Sequence, residues 1–238
     1  MKATKYIMIL TLLAITLSAE AQLRRTVYAR GPVTTEERKA GSFHSVKVST
    51  GITVYLTQGN EESIKVEADE NLHEYIATEI RGGVLNIYSE FSIRNAKSRK
   101  VYVTIKEVKS LKTSSAGDIK GLTPLVADML KLSTSSAGDI NLEVSAKEIE
   151  AVTSSSGDIT LQGTADKLTA HLSSAGDLHA FELTVKEAEI SVSSAGDAKI
   201  TVTERLKARA SSAGDIHYRG KPKYVDAHSS SAGSIRGF

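Results

Sequence analysis

The 238-residue chain is predicted to be all-β, a β-solenoid whose two parallel sheets close on one thin core, preceded by an N-terminal strand and hairpin section. Three observations predict it. The hexapeptide "SSAGDI" stands at 114–119, 135–140 and 211–216, with near copies between and after them. The glycines of these copies, Gly117, Gly138, Gly157, Gly176, Gly196, Gly214 and Gly233, follow one another at steps of 21, 19, 19, 20, 18 and 19 residues. A period near 20 held over so many copies marks stacked supersecondary units. Around each glycine, apolar and polar residues alternate as they do along a strand with one buried face.

Before the array come several distinct stretches. Residues 1–21, "MKATKYIMILTLLAITLSAEA", have an early basic pair, Lys2 and Lys5, an apolar run from about Tyr6 to Leu17 and an A-x-A site. This is the pattern of a secretory signal peptide cleaved after Ala21. The run is shorter than the ~20 apolar residues a membrane helix needs. The chain is therefore expected to be exported, to the periplasm, the outer-membrane surface or the exterior, with no transmembrane span once mature. Residues 22–42 read as a leader or an edge strand. Residues 43–105 read as an N-terminal β section: "FHSVKVSTGITVYLTQG", "SIKVEAD", "IATEIRGGVLNIYS" and "KVYVTIKEV" alternate, and Gly82-Gly83 signals a hairpin. "ADENLHEYI" holds the one helical turn, with Asp69 or Asn71 as candidate caps.

The solenoid itself is expected over residues 106–238. Two positions after each glycine stand Ile119, Ile140, Ile159, Leu178, Ala198, Ile216 and Ile235. Four after come Gly121, Leu142, Leu161, Ala180, Ile200, Tyr218 and Gly237, and eight before come Lys109, Leu130, Ile149, Leu168, Ala188, Leu206 and Val225. These columns are assigned to the core. The columns one and three after the glycine are polar and assigned to water: Asp118, Asp139, Asp158, Asp177, Asp197, Asp215 and Ser234, then Lys120, Asn141, Thr160, His179, Lys199, His217 and Arg236. Each coil reads as a strand, an Ala-Gly corner, a second strand and a looser return such as "QGTADK" at 162–167. At the parallel-sheet spacing of ~4.8 Å, seven corners give a ridge of roughly 30 Å. The corner glycines are expected to supply a positive φ. The serines two before them (Ser115, Ser136, Ser155, Ser174, Ser194, Ser212 and Ser231) are expected to point inward.

Composition narrows function. Thirty Lys and Arg against 28 Asp and Glu leave a formal charge of +2, which gives no bulk field for nucleic acid or an anionic membrane. With no cysteine the fold has no disulfide, a lipid anchor on cysteine is ruled out and a zinc site is disfavoured. The six aspartates of the corner row repel one another if they stack, by about 1 kcal/mol per adjacent pair even in water. Turn amides, the neighbouring basic row or a bound calcium ion could each relieve this; amide capping is preferred, and no cofactor is otherwise expected. His171, Ser174 and Asp177 invite a triad reading, but the other copies lack the histidine. "TQGNEES" and "RGG" are turns without a following helix, so phosphate binding has little support.

The run from Phe43 to Ser89 followed by serial "SSAGDI" corners resembles the bacterial family described as putative autotransporter adhesin, head GIN domain, over roughly residues 40–236. Ser156 for the usual Ala and Ser234 for the usual Asp are departures. The resemblance implies a β-helical superhelix, an exported location, the shape of pectin-lyase-like folds without their catalytic residues, and a role in adhesion. Three functions are weighed: a non-enzymatic module binding a glycan, envelope component or host ligand; a polysaccharide lyase or hydrolase; and a structural or assembly protein whose open solenoid end stacks on a partner, with Phe238 as a candidate cap. Evenly repeated carboxylates suit architecture better than the singular cluster that catalysis needs, so no catalytic residue is assigned. Ligand and oligomeric state are left open.

Overall fold

A computed structural model describes residues 25–238; the expected signal peptide at 1–21 and its expected cleavage site lie outside the described residues. Nineteen strands succeed one another. The first nine are β1 (Thr26–Tyr28), β2 (Val33–Arg38), β3 (Ser45–Val48), β4 (Thr53–Gln58), β5 (Ser63–Asp69), β6 (Ala77–Arg81), β7 (Val84–Tyr88), β8 (Ser92–Arg94) and β9 (Arg99–Ile105). The coils follow as β10 (Ser110–Thr113), β11 (Asp118–Gly121), β12 (Leu125–Thr134), β13 (Asp139–Thr153), β14 (Asp158–Leu172), β15 (Asp177–Val192), β16 (Asp197–Ala210), β17 (Asp215–Arg219), β18 (Tyr224–Ser229) and β19 (Ser234–Gly237). Apart from the β1–β8 pair they form one continuous 17-stranded sheet, wound into a β-solenoid.

From β10 onward every coil lies parallel to the next. β12, β13, β14, β15 and β16 pair in sequence order, and β16 passes on to β18 and β17, with β19 last. The alternation in the sequence becomes burial: Ile119, Ile140, Ile159, Leu178, Ala198 and Ile216 are all buried, as are Leu130, Ile149, Leu168, Ala188 and Leu206. At the two ends the assigned columns depart from this. Lys109 is exposed, because the ammonium stays in water while the neighbouring Val108 takes the buried place. Val225 and Gly237 are exposed because no coil follows them among the described residues.

The return between strands is not a loose loop. Residues 162–167 lie within β14, and the chain bends there while remaining hydrogen-bonded to both neighbours. The bend shows as two successive outward residues, Asp166 and Lys167, between buried Ala165 and Leu168. Irregular repeat lengths are absorbed in bulges. The step of 20 residues after Gly176 exceeds the preceding step of 19, and the extra residue falls between Ala180 and Glu182 opposite Leu161.

The stack does not begin at residue 106. β3 and β4 pair in parallel with β10 and β11, and the Gly51 amide donates to the Ser115 carbonyl at 3.1 Å across the intervening corner. Ser49-Thr50-Gly51-Ile52 is therefore an eighth, degenerate corner, with positive φ at Thr50 and Gly51. One coil further out, β7 and β9 flank β3 and β4. This end is closed by antiparallel strands: β5 on β9, β2 on β5 and β6 on β7. The parallel array gives way here to strands of the opposite direction. The predicted helical turn is a 3-10 helix at Glu70–Leu72, and neither candidate caps it through its side chain. The Asp69 carboxylate instead accepts the amides of Lys97 (2.8 Å) and Ser98 (3.1 Å), and Asn71 bonds Arg30 and Tyr28 of the preceding segment.

Candidate binding surface

The corner comes first, because the copies share it. In the first SSAGDI copy the Gly117 amide donates to the Ser114 carbonyl at 3.0 Å. This closes a four-residue turn whose central residues, Ser115 (φ 50°) and Ala116 (φ 58°), both lie in the left-handed region. The other copies repeat it, down to Ser231 and Ala232. The positive φ thus belongs to the Ser-Ala pair and not to the glycine. Each such residue costs roughly 1–2 kcal/mol relative to an ordinary conformation. What offsets the cost is the next coil: the Ala116 amide donates to the Ser136 carbonyl, Ala137 to Ser155, Ser156 to Ser174 and Ala175 to Ser194, all at 3.0–3.2 Å. The same geometry throws the serines of the expected inward column out into water, as Ser115, Ser136 and Ser155 show.

The glycine is required for a different reason. A Cβ on Gly138 would sit 2.8 Å from Thr113 Oγ1, 2.9 Å from the Gly117 carbonyl and 3.0 Å from the Ser114 nitrogen. The corner of one coil rests its Cα directly on the coil before. Thr113, Thr134 and Thr153 are buried there with hydroxyls that have no conventional partner. Each occupies the space that a Cβ on the glycine of the following coil would need.

The aspartates align in register through Asp118, Asp139, Asp158 and Asp177, and again through Asp197 and Asp215 to Ser234. Their relief comes from backbone amides of the following coil and not from their own turn. Asp158 N donates to Asp139 Oδ1 at 3.4 Å, and Asp197 N to Asp177 Oδ1 at 2.9 Å. Thr53 Oγ1 donates to Asp118 Oδ2 at 3.3 Å, and Lys199 pairs with Asp197 at 3.1 Å. Among the described residues no three His, Cys, Asp or Glu side chains converge as a metal centre would require. Burial, and then the neighbouring carboxylate, push the Asp118 and Asp158 carboxyls above the usual aspartate range.

A raised carboxyl binds its proton more tightly in the folded chain than in the unfolded one, so its contribution is most favourable at low pH. That contribution is lost as pH rises through the folded value. Asp158→Asn removes the charge and keeps an oxygen acceptor. The expected result is a melting temperature above wild type at pH 7, with the difference closing as pH falls below about 4; thermal melts across pH check it. Melts with and without a chelator bear on calcium: a calcium row predicts that wild type, and not Asp158→Asn, loses stability with the chelator.

The triad residues are not assembled. The Asp177 carboxylate is occupied by the Asp197 amide, while Ser174 and His171 are exposed on the other side of the turn.

A large concavity lies away from the corners, along the bend. It is a trough of about 1140 Å³ that runs parallel to the solenoid axis from Val108 to Glu204. Ala127, Ala146, Ala165 and Val185, stacked in register, form its floor. Ser145, Thr164 and Thr184 offer one hydroxyl per coil along it, and Val126 and Met129 add exposed apolar surface at one end. Four of its charges pair within the chain: Lys147 with Asp128 at 2.7 Å and Lys186 with Asp166 at 2.6 Å. Sequence reading missed this feature, although the Ala-Ala-Ala-Val column and the alternation Asp128, Lys147, Asp166, Lys186 were there to be aligned.

Comparison with curated protein sequences gives no match. Solved structures give the fold. A putative adhesin from Bacteroides fragilis superposes with a TM-score of 0.83 at 21% identity, covering 89% of this chain and 100% of that one. A putative adhesin from Parabacteroides merdae gives 0.73 at 21%, covering 90% and 99%. A putative lipid binding protein from Parabacteroides distasonis gives 0.70 at 22%, covering 89% and 100%. No helix among the described residues is long and apolar enough to cross a membrane. Residues 42–222 match the family described as putative auto-transporter adhesin, head GIN domain, and the chain with its stacked Ser-Ala-Gly corners belongs to that family.

Proposed function

We propose that the protein is an exported, non-enzymatic binding module that holds an extended, largely uncharged polymer, a glycan strand of the envelope or of a host surface, along the trough at the bend. The observation that carries this reading is the repetition of the trough's lining. Each coil presents a small apolar floor residue and most a hydroxyl, at the ~4.8 Å spacing of parallel strands, while four charged side chains of the rim pair with one another. Such a surface makes many weak, equivalent contacts with a repeating ligand and has no single cluster of acid and base poised for bond cleavage. Adhesion, the role in the family's description, is served by the same geometry.

The test is a glycan array and a pull-down on isolated envelope fractions with wild type and with Ser145→Arg/Thr164→Arg. Both positions are exposed on β13 and β14, so the melting temperature should stay within a degree or two of wild type. The expected outcome is glycan binding by wild type that falls at least about tenfold in the variant, the scale of losing a few contacts. Binding that survives these substitutions overturns the trough as the site. Turnover of a uronate polymer, abolished by one point mutation, overturns the non-enzymatic reading.

A further inference from the structure

The two ends of the solenoid differ. The N-terminal end carries antiparallel strands, with β2 and β6 outermost, whereas β18 and β19 end the parallel stack with their outer edges unpaired among the described residues. Their inward columns nevertheless keep the apolar identity of the buried coils. Val225 is 47% exposed where its register partner Leu206 is 1% exposed, and Ala227 is exposed beside fully buried Ala208. Tyr224 and Phe238 add further exposed rings on the same coil. β18 and β19 contain neither proline nor lysine, the usual means of blunting a free edge.

We propose that this end is an interface for a second copy of the chain, joined about a two-fold axis so that β18 pairs antiparallel with β18 of the other copy, centred on Ala227. Two properties of the strand select this partner and register. The N-terminal end of another copy presents the antiparallel strands β2 and β6 outermost and no coil of the SSAGDI type to continue the corner ladder. A two-fold axis across the open ends necessarily sets like strands antiparallel. Centred on Ala227, that pairing keeps Val225 opposite Ser229 and Ala227 opposite itself, all on the core side. It also sets Asp226 opposite His228 of the other copy, twice over. Within one chain the pair Asp226 and His228 already lies 3.0 Å apart, with Arg209 on Asp226 at 2.8 Å. The second copy therefore meets a patch carrying both charge signs in a self-complementary order. A parallel copy would instead set Asp226 against Asp226.

The expected state is a closed dimer, since a two-fold contact uses the same surface of both copies and leaves none of it for a third. Sedimentation equilibrium of the chain over about a hundredfold range of concentration reads it directly. The chain has no cysteine, so Ala227→Cys gives one thiol per chain, and only a pairing centred on residue 227 brings two of them within disulfide reach. Mild oxidation is expected to yield a covalent dimer with Ala227→Cys and none with Asp226→Cys. His228→Asp places like charges across the strands and is expected to raise the dimer dissociation constant at least tenfold. His228→Lys keeps a cation opposite Asp226 and is expected to preserve the dimer. Circular dichroism melts on each variant separate loss of pairing from loss of fold. A chain that stays monomeric at every concentration while fully folded overturns the proposal. So do open-ended fibres, or crosslinking by Asp226→Cys in place of Ala227→Cys.

Discussion

Gly163→Ala lowers the unfolding free energy by ~3 kcal/mol or more, the upper range for overpacking a closed interior. Gly163 sits in β14 with φ 111°, and a Cβ there would lie well inside the van der Waals radius of the Val144 carbonyl oxygen, with the Val144 nitrogen 3.2 Å away. The atoms in the way are backbone, held on the far side by their own coil, so no rotamer change relieves the clash. Gly82→Ala provides the contrast. Its φ of 57° is equally unsuited to alanine, yet nothing lies within 4 Å of the added carbon, and the expected loss is ~1 kcal/mol from backbone strain alone. Urea melts of the two variants check the difference. Equal losses would mean that φ, and not the proximity of the coils, governs these glycines.

Ile159→Ala costs ~3–4 kcal/mol, within the range for deleting a fully buried aliphatic side chain. Ile159 is completely buried between Ile140 and Leu178 in register, and the strands around it cannot close the space without breaking two ladders. Because coils touch only their neighbours, the stack behaves as a one-dimensional chain of coupled units. Weakening a middle coil is expected to split the single melting transition into two, with the N-terminal part the more stable because antiparallel strands cap it. Hydrogen exchange resolved along the sequence checks the order of loss. Simultaneous exchange in both halves would show that the coupling survives the cavity.

Much of this architecture is legible in the sequence, for a definite reason. Along a strand, side-chain parity is fixed, so Ile119, Ile140, Ile159 and Leu178 could be placed in the core by counting from one glycine. Counting fails where the backbone leaves the β region. Two successive left-handed residues, Ser115 and Ala116, turn the serines outward although parity puts them inside. Gly117 is likewise in its place for another reason than its own φ. The corner at Ser49–Ile52 escaped notice because only its first serine matches the motif, and its identity lies in the bond from Gly51 to Ser115, which is long-range. The acidic row was legible as a row. Its partners, amides of the following coil, depend on register and not on local sequence. The trough combines two such long-range facts, a bend inside a continuous strand and the stacking of four small residues, and neither has a local signature.

The corner ladder has one more consequence, for how such a chain changes length. In every corner but the last, a Ser-Ala pair in the left-handed region is supported by the following coil, which receives its amide and presents the same carbonyl in turn. Excising or duplicating one whole unit, for example Gly157 through Ala175, reconnects every ladder with an equivalent neighbour. Cutting half a unit sets a corner beside the middle of a strand, so that its left-handed turn no longer meets the carbonyl of an equivalent corner. Copy number is thus the variable that this design leaves free, and the solenoid could be lengthened in steps of one strand spacing without altering either of its ends.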